Sequence, residues 1–165
     1  MGLDNIPRIL PCKKAGTAIF ASEYPETDEH NIVDCEATIQ CGGCPYKQAY
    51  ENDPLVMNSV PAYGIFGTPC WYRGKWGNSL LHLAASHGYQ SPVDFYGVGK
   101  EFSEDQGLDP ELCLELSGWM ADHTEAFSNI VNTNDLDPRF LHDWIYASWW
   151  LKFVSKYGDG SAVWY

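Results

Sequence analysis

Three cysteines fall within ten residues of this chain, in the stretch D-C-E-A-T-I-Q-C-G-G-C-P-Y-K-Q. Cys35, Cys41 and Cys44 follow the spacing C-x5-C-x2-C, with two glycines between the last two thiols. Glycine permits the tight backbone turn that lets two thiolates approach one ion. The pattern therefore predicts a thiolate metal site, and zinc is the expected ion.

A tetrahedral structural zinc site needs a fourth ligand. Cys70 and Cys12 are the preferred candidates because each follows a proline in a turn-rich segment, and His30 is the third. The spacing leaves the choice among them open.

Three other interpretations of the cysteines are open as well. An iron–sulfur cluster also uses thiolates, although this spacing differs from that of the ferredoxins. A thioredoxin-like redox pair would use Cys41 and Cys44, with a short helix over residues 46–52 lowering the pKa of Cys41. The thiols can also simply fill interior space without a ligand, which is the expectation for Cys113 on a long helix.

A second segment, G-T-P-C-W-Y-R-G-K-W-G-N, points to a ligand. Its two cations are scarce in this acidic chain, and they alternate with aromatic rings. Arginine between aromatic faces suits an anionic ligand with a stacking surface, such as a nucleotide, or a hot spot of a protein interface. The alternative is that the rings enter the core and the cations only cover it. The candidate ligand-binding residues are Trp71, Tyr72, Arg73, Lys75 and Trp76.

The histidines and the remaining motifs indicate no catalytic site. His82 and His87 are five residues apart and so leave one helical face, while His123 lies on an apolar stripe and is expected to be a hydrogen-bonded core histidine. No H-E-x-x-H motif, phosphate-binding glycine loop or G-x-S-x-G elbow is present. A binding protein is therefore favoured over an enzyme. The enzymatic alternatives are a thiol oxidoreductase and a metal-dependent hydrolase.

Composition narrows the class of partner. The formal net charge of −12 argues against general nucleic-acid binding, because affinity for phosphates comes from clustered Lys and Arg. An acidic surface that binds a basic partner is a further interpretation. No run approaches the ~20 apolar residues that cross a bilayer, and no basic start leads into an apolar stretch. The expected location is the cytoplasm, where cysteines stay reduced.

These residues are expected to sit on one domain spanning residues 1–165, with a part rich in Cys, Gly and Pro (1–76) and a mainly helical part (77–165). Helices are predicted over residues 79–87 and from two Asp-Pro pairs, at Asp109 and Asp137, each joining an N-capping carboxylate to a proline. Short strands are predicted at 17–21, 31–33, 62–66 and 162–165. The fold class is α+β, a small mixed or antiparallel sheet packed by about three helices, with a loop-dominated N-terminal half.

Two apolar stripes predict the principal core. The helix that begins at Asp109 is expected to continue without a break along its whole stripe. The stripe of the second helix is widened by Leu141, Ile145 and Ser148. The stripes comprise Leu112, Leu116, Trp119, His123, Phe127 and Ile130 on the first helix, and Phe140, Trp144, Ala147 and Leu151 on the second.

Several segments together, M-G-L-D-N-I-P, P-C-K-K followed by G-T-A, C-G-G-C-P and G-T-P-C-W-Y-R-G-K-W-G-N, resemble uncharacterised small proteins encoded by bacteriophages and their hosts. The resemblance covers mainly the first half of the chain and transfers no catalytic residue. It implies an accessory factor, or one that counters a host defence by binding a protein or a nucleotide signal.

Overall fold

The structure of the protein, a computed structural model, describes residues 4–9, 11, 14, 45, 48–49, 52–53, 72–73, 80–93 and 107–164. This part of the chain is mostly helical, with four helices and a small antiparallel sheet. In chain order the elements are β1 (Asp4–Pro7), β2 (Tyr72–Arg73), α1 (Leu81–Ser86), α2 (Pro110–Asp122), α3 (Thr124–Thr133), α4 (Arg139–Tyr157) and β3 (Ser161–Trp164).

The sheet has the order β2-β1-β3, and both pairings are antiparallel. In the register, Asp4 lies opposite Arg73 on one side and Trp164 on the other. The predicted terminal strand is confirmed as β3. The sequence did not predict β1, whose four residues show no alternation of apolar and polar side chains. The strands predicted at 17–21, 31–33 and 62–66 fall in parts of the chain that the structure does not describe.

The two Asp-Pro pairs both mark helix starts, as predicted, but only one of the two carboxylates caps its helix. The Asp137 Oδ1 atom accepts the backbone N–H of Arg139 at 2.9 Å, which is a capping bond at the start of α4. The Asp109 carboxylate forms no capping bond to α2, and its Oδ1 atom lies 2.6 Å from Nη1 of Arg8. The capping prediction is therefore wrong for Asp109, because its carboxylate pairs with Arg8, the residue that follows β1.

The single long helix predicted through His123 is two helices. His123 ends α2 and precedes α3, with a backbone φ of −100° and ψ of 9° that no longer continues a helix. The core side of α2 is formed by residues at helical spacing, Cys113, Leu116, Ser117 and Met120. Leu112 is 38% exposed, so its assignment to the core is wrong.

Helix α4 is the centre of the described core. Trp144, Ala147 and Leu151 of the predicted stripe are fully buried. Burial extends beyond that stripe, since Trp150 and Val154 are fully buried too, and Tyr146 and Phe153 nearly so. A helix that is apolar on most sides is covered by neighbours rather than lying at a surface.

A reciprocal serine pair joins α2 to α4. The Ser117 hydroxyl donates to the Ser148 carbonyl at 2.6 Å, and the Ser148 hydroxyl donates to the Ser117 carbonyl at 2.9 Å. Both serines are buried, so these bonds satisfy groups that water cannot reach. The small side chains also let the two helices lie close together.

Turns close α1 and α4. Gly88 has a φ of +92°, and its N–H bonds the Ala85 carbonyl at 3.0 Å, which confirms the predicted terminator of α1. After α4, residues 158–160 turn the chain into β3, and Gly160 has a φ of +87°. The backbone N–H groups of Arg8 and Ile9 bond the Gly160 and Gly158 carbonyls, so the chain beyond β1 stays against this turn.

Candidate functional site

The predicted metal ligands lie outside the residues that the structure describes. This holds for the five cysteines and for the alternative histidine, which are Cys12, Cys35, Cys41, Cys44, Cys70 and His30. Their roles stay predictions. Two of their neighbours are described: Pro11, which precedes Cys12, and Pro45, which follows Cys44, are both buried.

The segment after Pro45 is attached to the helical part. Gln48 and Ala49 have helical backbone, in line with the short helix predicted there. Ala49 packs against the hydrophobic core. The side chain of Asn52 donates to the Gln48 carbonyl at 2.6 Å, four residues earlier.

Two of the five candidate ligand-binding residues belong to the sheet. Tyr72 and Arg73 form β2, which pairs with β1 through the positions Asn5–Tyr72 and Asp4–Arg73. In the three-stranded order, β2 lies at an edge. Trp71, Lys75 and Trp76 fall outside the described residues. The candidate segment is thus carried, at its centre, by a strand at the border of the sheet.

Ser161 connects this sheet to the start of α2. Its hydroxyl oxygen accepts the backbone N–H of Leu108 at 3.1 Å, and its own N–H donates to the Leu108 carbonyl at 2.9 Å. Its carbonyl accepts Nε of Arg8 at 3.2 Å. Ser161 is fully buried and lies opposite Pro7 in the register. One serine therefore binds β1, β3 and the segment before α2 to one another.

Cys113 lies in the interior next to Ser161 and Leu108, and its thiol stays protonated. The thiol is fully buried, and its Sγ atom lies 3.5 Å from the Leu108 carbonyl oxygen. Burial raises the pKa of the Cys113 thiol to about 11, against the smaller opposing effect of the hydrogen bond with Ser161. The nucleophile and the metal ligand is the thiolate, so this residue has a packing role, as predicted.

Two ion pairs border the same junction. Besides the pair of Arg8 with Asp109, the Nζ atom of Lys14 lies 3.2 Å from Oδ1 of Asp159. The second pair holds the chain three residues after Pro11 to the turn between α4 and β3. Both pairs reach solvent, so each contributes little to stability by itself.

An aromatic cluster with a histidine lies where α2 meets α3. His123 stacks on Trp119 with ring centroids 4.5 Å apart, and Tyr89 approaches His123 edge-on at 5.6 Å. Its Nδ1 atom lies 2.8 Å from the Trp119 carbonyl oxygen. The prediction of a hydrogen-bonded histidine is confirmed, although the ring is only partly buried. The approach of Tyr89 was missed, because no sequence pattern marks a residue three positions after a helix.

The other histidine with described partners ties α1 to α3. The Nε2 atom of His87 lies 3.3 Å from Nδ2 of Asn134, and its Nδ1 atom lies 3.0 Å from the Leu83 carbonyl oxygen. Within the described ranges, no three His, Cys, Asp or Glu side chains are grouped so that they could hold a metal ion. These histidines serve as links between elements.

Comparisons of the chain with protein-family models, with curated proteins and with solved structures find no match. Among the helices that the structure describes, none has both the length and the apolar character needed for a bilayer crossing.

Proposed function

We propose that this protein is a metal-stabilised binding protein, in which a thiolate zinc site holds the segment 71–76 for recognition. Cys35, Cys41 and Cys44 bind the ion, and Cys70 or Cys12 completes the shell. The partner is a host protein or a small anionic ligand such as a nucleotide. In this proposal, as the resemblance to phage-encoded proteins implies, the binding serves an accessory or counter-defence role.

The observation that carries the proposal is the pairing of β2 with β1. Because the two strands are antiparallel, the chain enters β2 at the end of the sheet where it leaves β1. Cys70 precedes Tyr72 by two residues and is therefore within about 7 Å of it along the chain. In the chain, one candidate for the fourth ligand thus follows β1 by five residues, and the other precedes β2 by two.

The other flanks of the predicted site are also attached to described structure. Cys12 stands between buried Pro11 and the ion-paired Lys14, and Cys44 stands beside buried Pro45. A metal joining these segments would cross-link them to the helical part. Since such a site does not exist in the unfolded chain, metal binding would add directly to the free energy of unfolding.

Arg73 provides the recognition chemistry in this proposal, together with Lys75, two residues later in the chain. Strand position places Arg73 at the sheet edge and opposite Asp4 in the register. Because Asp4 is the register partner of Arg73, Asp4→Asn removes a negative charge from the paired position and is expected to strengthen anion binding.

The test of the metal site is elemental analysis of protein purified without added metal. About one zinc per chain is expected, and Cys41→Ser and Cys44→Ser should each lose it. Comparing Cys70→Ser with Cys12→Ser identifies the fourth ligand, because only one of them should lose the metal. Cys113→Ser, which changes a buried thiol outside the proposed shell, is the matched control. Metal well below one per chain, with freely alkylated cysteines, would contradict the site.

The test of recognition is a tryptophan fluorescence titration with common nucleotides and cyclic nucleotide signals. The expected result is a saturable change that Arg73→Gln with Lys75→Gln abolishes. Lys152→Gln, which removes an exposed positive charge on α4, should leave the titration unchanged. If the titrations are flat and the metal is retained, a nucleotide is excluded as the ligand, and a protein partner remains the proposal.

A further inference from the structure

One side of α2 presents an alternation of apolar and acidic residues. Leu112, Glu115, Trp119 and Asp122 are spaced i, i+3, i+7 and i+10, so they follow one stripe of the helix. We call these four residues the α2 strip. Leu112 is 38% exposed, both acids are exposed and Trp119 is partly buried. The strip lies away from the helix face that carries the buried residues Cys113 and Met120.

The strip ends in the aromatic cluster. His123 stacks on Trp119, and Tyr89, which is 37% exposed, packs edge-on against His123. Behind Trp119, the ring of Trp144 lies 5.8 Å away and is fully buried. The aromatic surface therefore rests on the core and is held in a fixed position.

The hydrogen bond of His123 determines which ring nitrogen can accept a bond from outside. A carbonyl oxygen only accepts, so the Nδ1 atom 2.8 Å from the Trp119 carbonyl carries the proton. In the neutral ring, Nε2 is then the acceptor. The cluster thus offers aromatic faces together with an acceptor nitrogen.

The two helices that carry most of this surface bear charged side chains of one sign. Helices α2 and α3 contain neither lysine nor arginine, and they carry four carboxylates, on Glu111, Glu115, Asp122 and Glu125. Glu115 and Asp122 lie four residues before and three residues after Trp119, which makes them its neighbours on the helix surface. A second copy of this acidic chain would meet the strip with like charge, whereas a basic segment would meet it with opposite charge.

We propose that the α2 strip, with Tyr89 and His123, binds an extended basic segment of a protein partner through arginine side chains. A guanidinium group stacks on aromatic faces and pairs with carboxylates at the same time, and the compact ammonium of lysine does this less well. Glu115 and Asp122 are separated by seven residues of helix, about 10 Å. Two arginines three residues apart in an extended polyproline II segment lie on one side of it, about 9 Å apart, which is close to that distance.

This surface is separate from the proposed metal site and from the segment 71–76, so the proposal does not rest on either. Its test is calorimetric titration with a capped peptide containing Arg-Gly-Leu-Arg, compared with a twin in which neutral citrulline replaces both arginines. Binding of the arginine peptide should weaken as salt is added, and the citrulline twin should not bind measurably.

Variants of the surface residues provide the decisive comparison. Tyr89→Leu should weaken binding about two- to fivefold, whereas Tyr89→Phe keeps the ring and should bind as the natural chain does. Glu115→Gln combined with Asp122→Asn should weaken it about two- to thirtyfold at low salt.

Asp135→Asn is the control for removing one carboxylate outside the strip, because this exposed residue follows the far end of α3. Binding that is equal for the arginine and citrulline peptides would overturn the proposal. So would a Glu115/Asp122 variant that behaves like Asp135→Asn.

Discussion

Replacing Ser161 by alanine tests whether one buried hydroxyl holds the sheet to the helices. The Ser161 hydroxyl accepts the backbone N–H of Leu108 at 3.1 Å in the interior, and the thiol of Cys113 lies 3.8 Å away. Alanine keeps the backbone bonds of β3 and removes only this acceptor. The buried N–H of Leu108 then loses its side-chain partner.

The size of the effect follows from that lost partner. Leaving a buried donor unsatisfied costs about 1–3 kcal/mol in the free energy of unfolding. With an unfolding entropy of about 2.1 cal/mol/K per residue, a chain of 165 residues would lose about 3–9 °C in its melting temperature. Chemical denaturation followed by circular dichroism gives the free energy, and calorimetry gives the melting temperature.

Ser155→Ala is the matched control. Its hydroxyl donates to the Lys152 carbonyl within α4, on the solvent side, so alanine should change stability by less than about 0.5 kcal/mol. If Ser161→Ala costs no more than Ser155→Ala, the buried hydroxyl does not hold this junction. The connection between the sheet and α2 would then rest on packing, on the backbone bond from Ser161 to Leu108 and on the Arg8–Asp109 pair.

Three further predictions concern single side chains. Gly160→Ala should destabilise far more than Gly88→Ala in chemical denaturation: both glycines have positive φ, but an added Cβ at Gly160 overlaps the Leu108 carbonyl, whereas at Gly88 it meets open space. Burial raises the pKa of the Cys113 thiol to about 11 in the folded protein, so on raising the pH the unfolded thiol loses its proton first. The free energy of unfolding should therefore fall by up to about 3 kcal/mol between about pH 9 and 11, and Cys113→Ser should show a smaller fall over that range. Burial raises the pKa of Asp143, so its charge opposes folding at neutral pH, and Asp143→Asn should raise the melting temperature at pH 7 but not in acid.

Local signals in the sequence located the helices of the second half well. A proline at the first helical position preceded by an aspartate marks the start of α2, and the same pair at Asp137 marks the start of α4. A glycine of positive φ closes α1. These signals act within one or two turns of the chain, so they hold whatever the rest of the protein does.

The apolar stripes predicted burial less completely. Trp144 and Leu151 are in the core as expected, but Leu112 is exposed and Trp150 is buried outside the predicted stripe. Periodicity identifies one apolar face, and it cannot tell how many neighbours surround a helix. Leu112 is apolar and correctly spaced, yet no described element covers it.

The candidate sites divide in the same way. The C-x5-C-x2-C spacing can be recognised from the sequence alone. It predicts a metal-binding site, which elemental analysis will test. The aromatic and acidic surface on α2 could not be predicted from the sequence, because Tyr89 contacts His123 only through the packing of separate elements. A contact between residues distant in the chain has no local pattern that would reveal it.

The sequence by itself therefore determined where α2 and α4 begin, that a strand follows the turn after α4 and where the cysteines cluster. Tertiary structure alone decided that the predicted long helix breaks at His123, that β1 pairs with both β2 and β3, and that Arg8 bonds Ser161 although 153 residues separate them. The physical reason is the separation along the chain over which the interactions act. Caps and turns are satisfied by neighbouring atoms, whereas strand pairing and the burial of polar groups depend on which distant segments fold against one another.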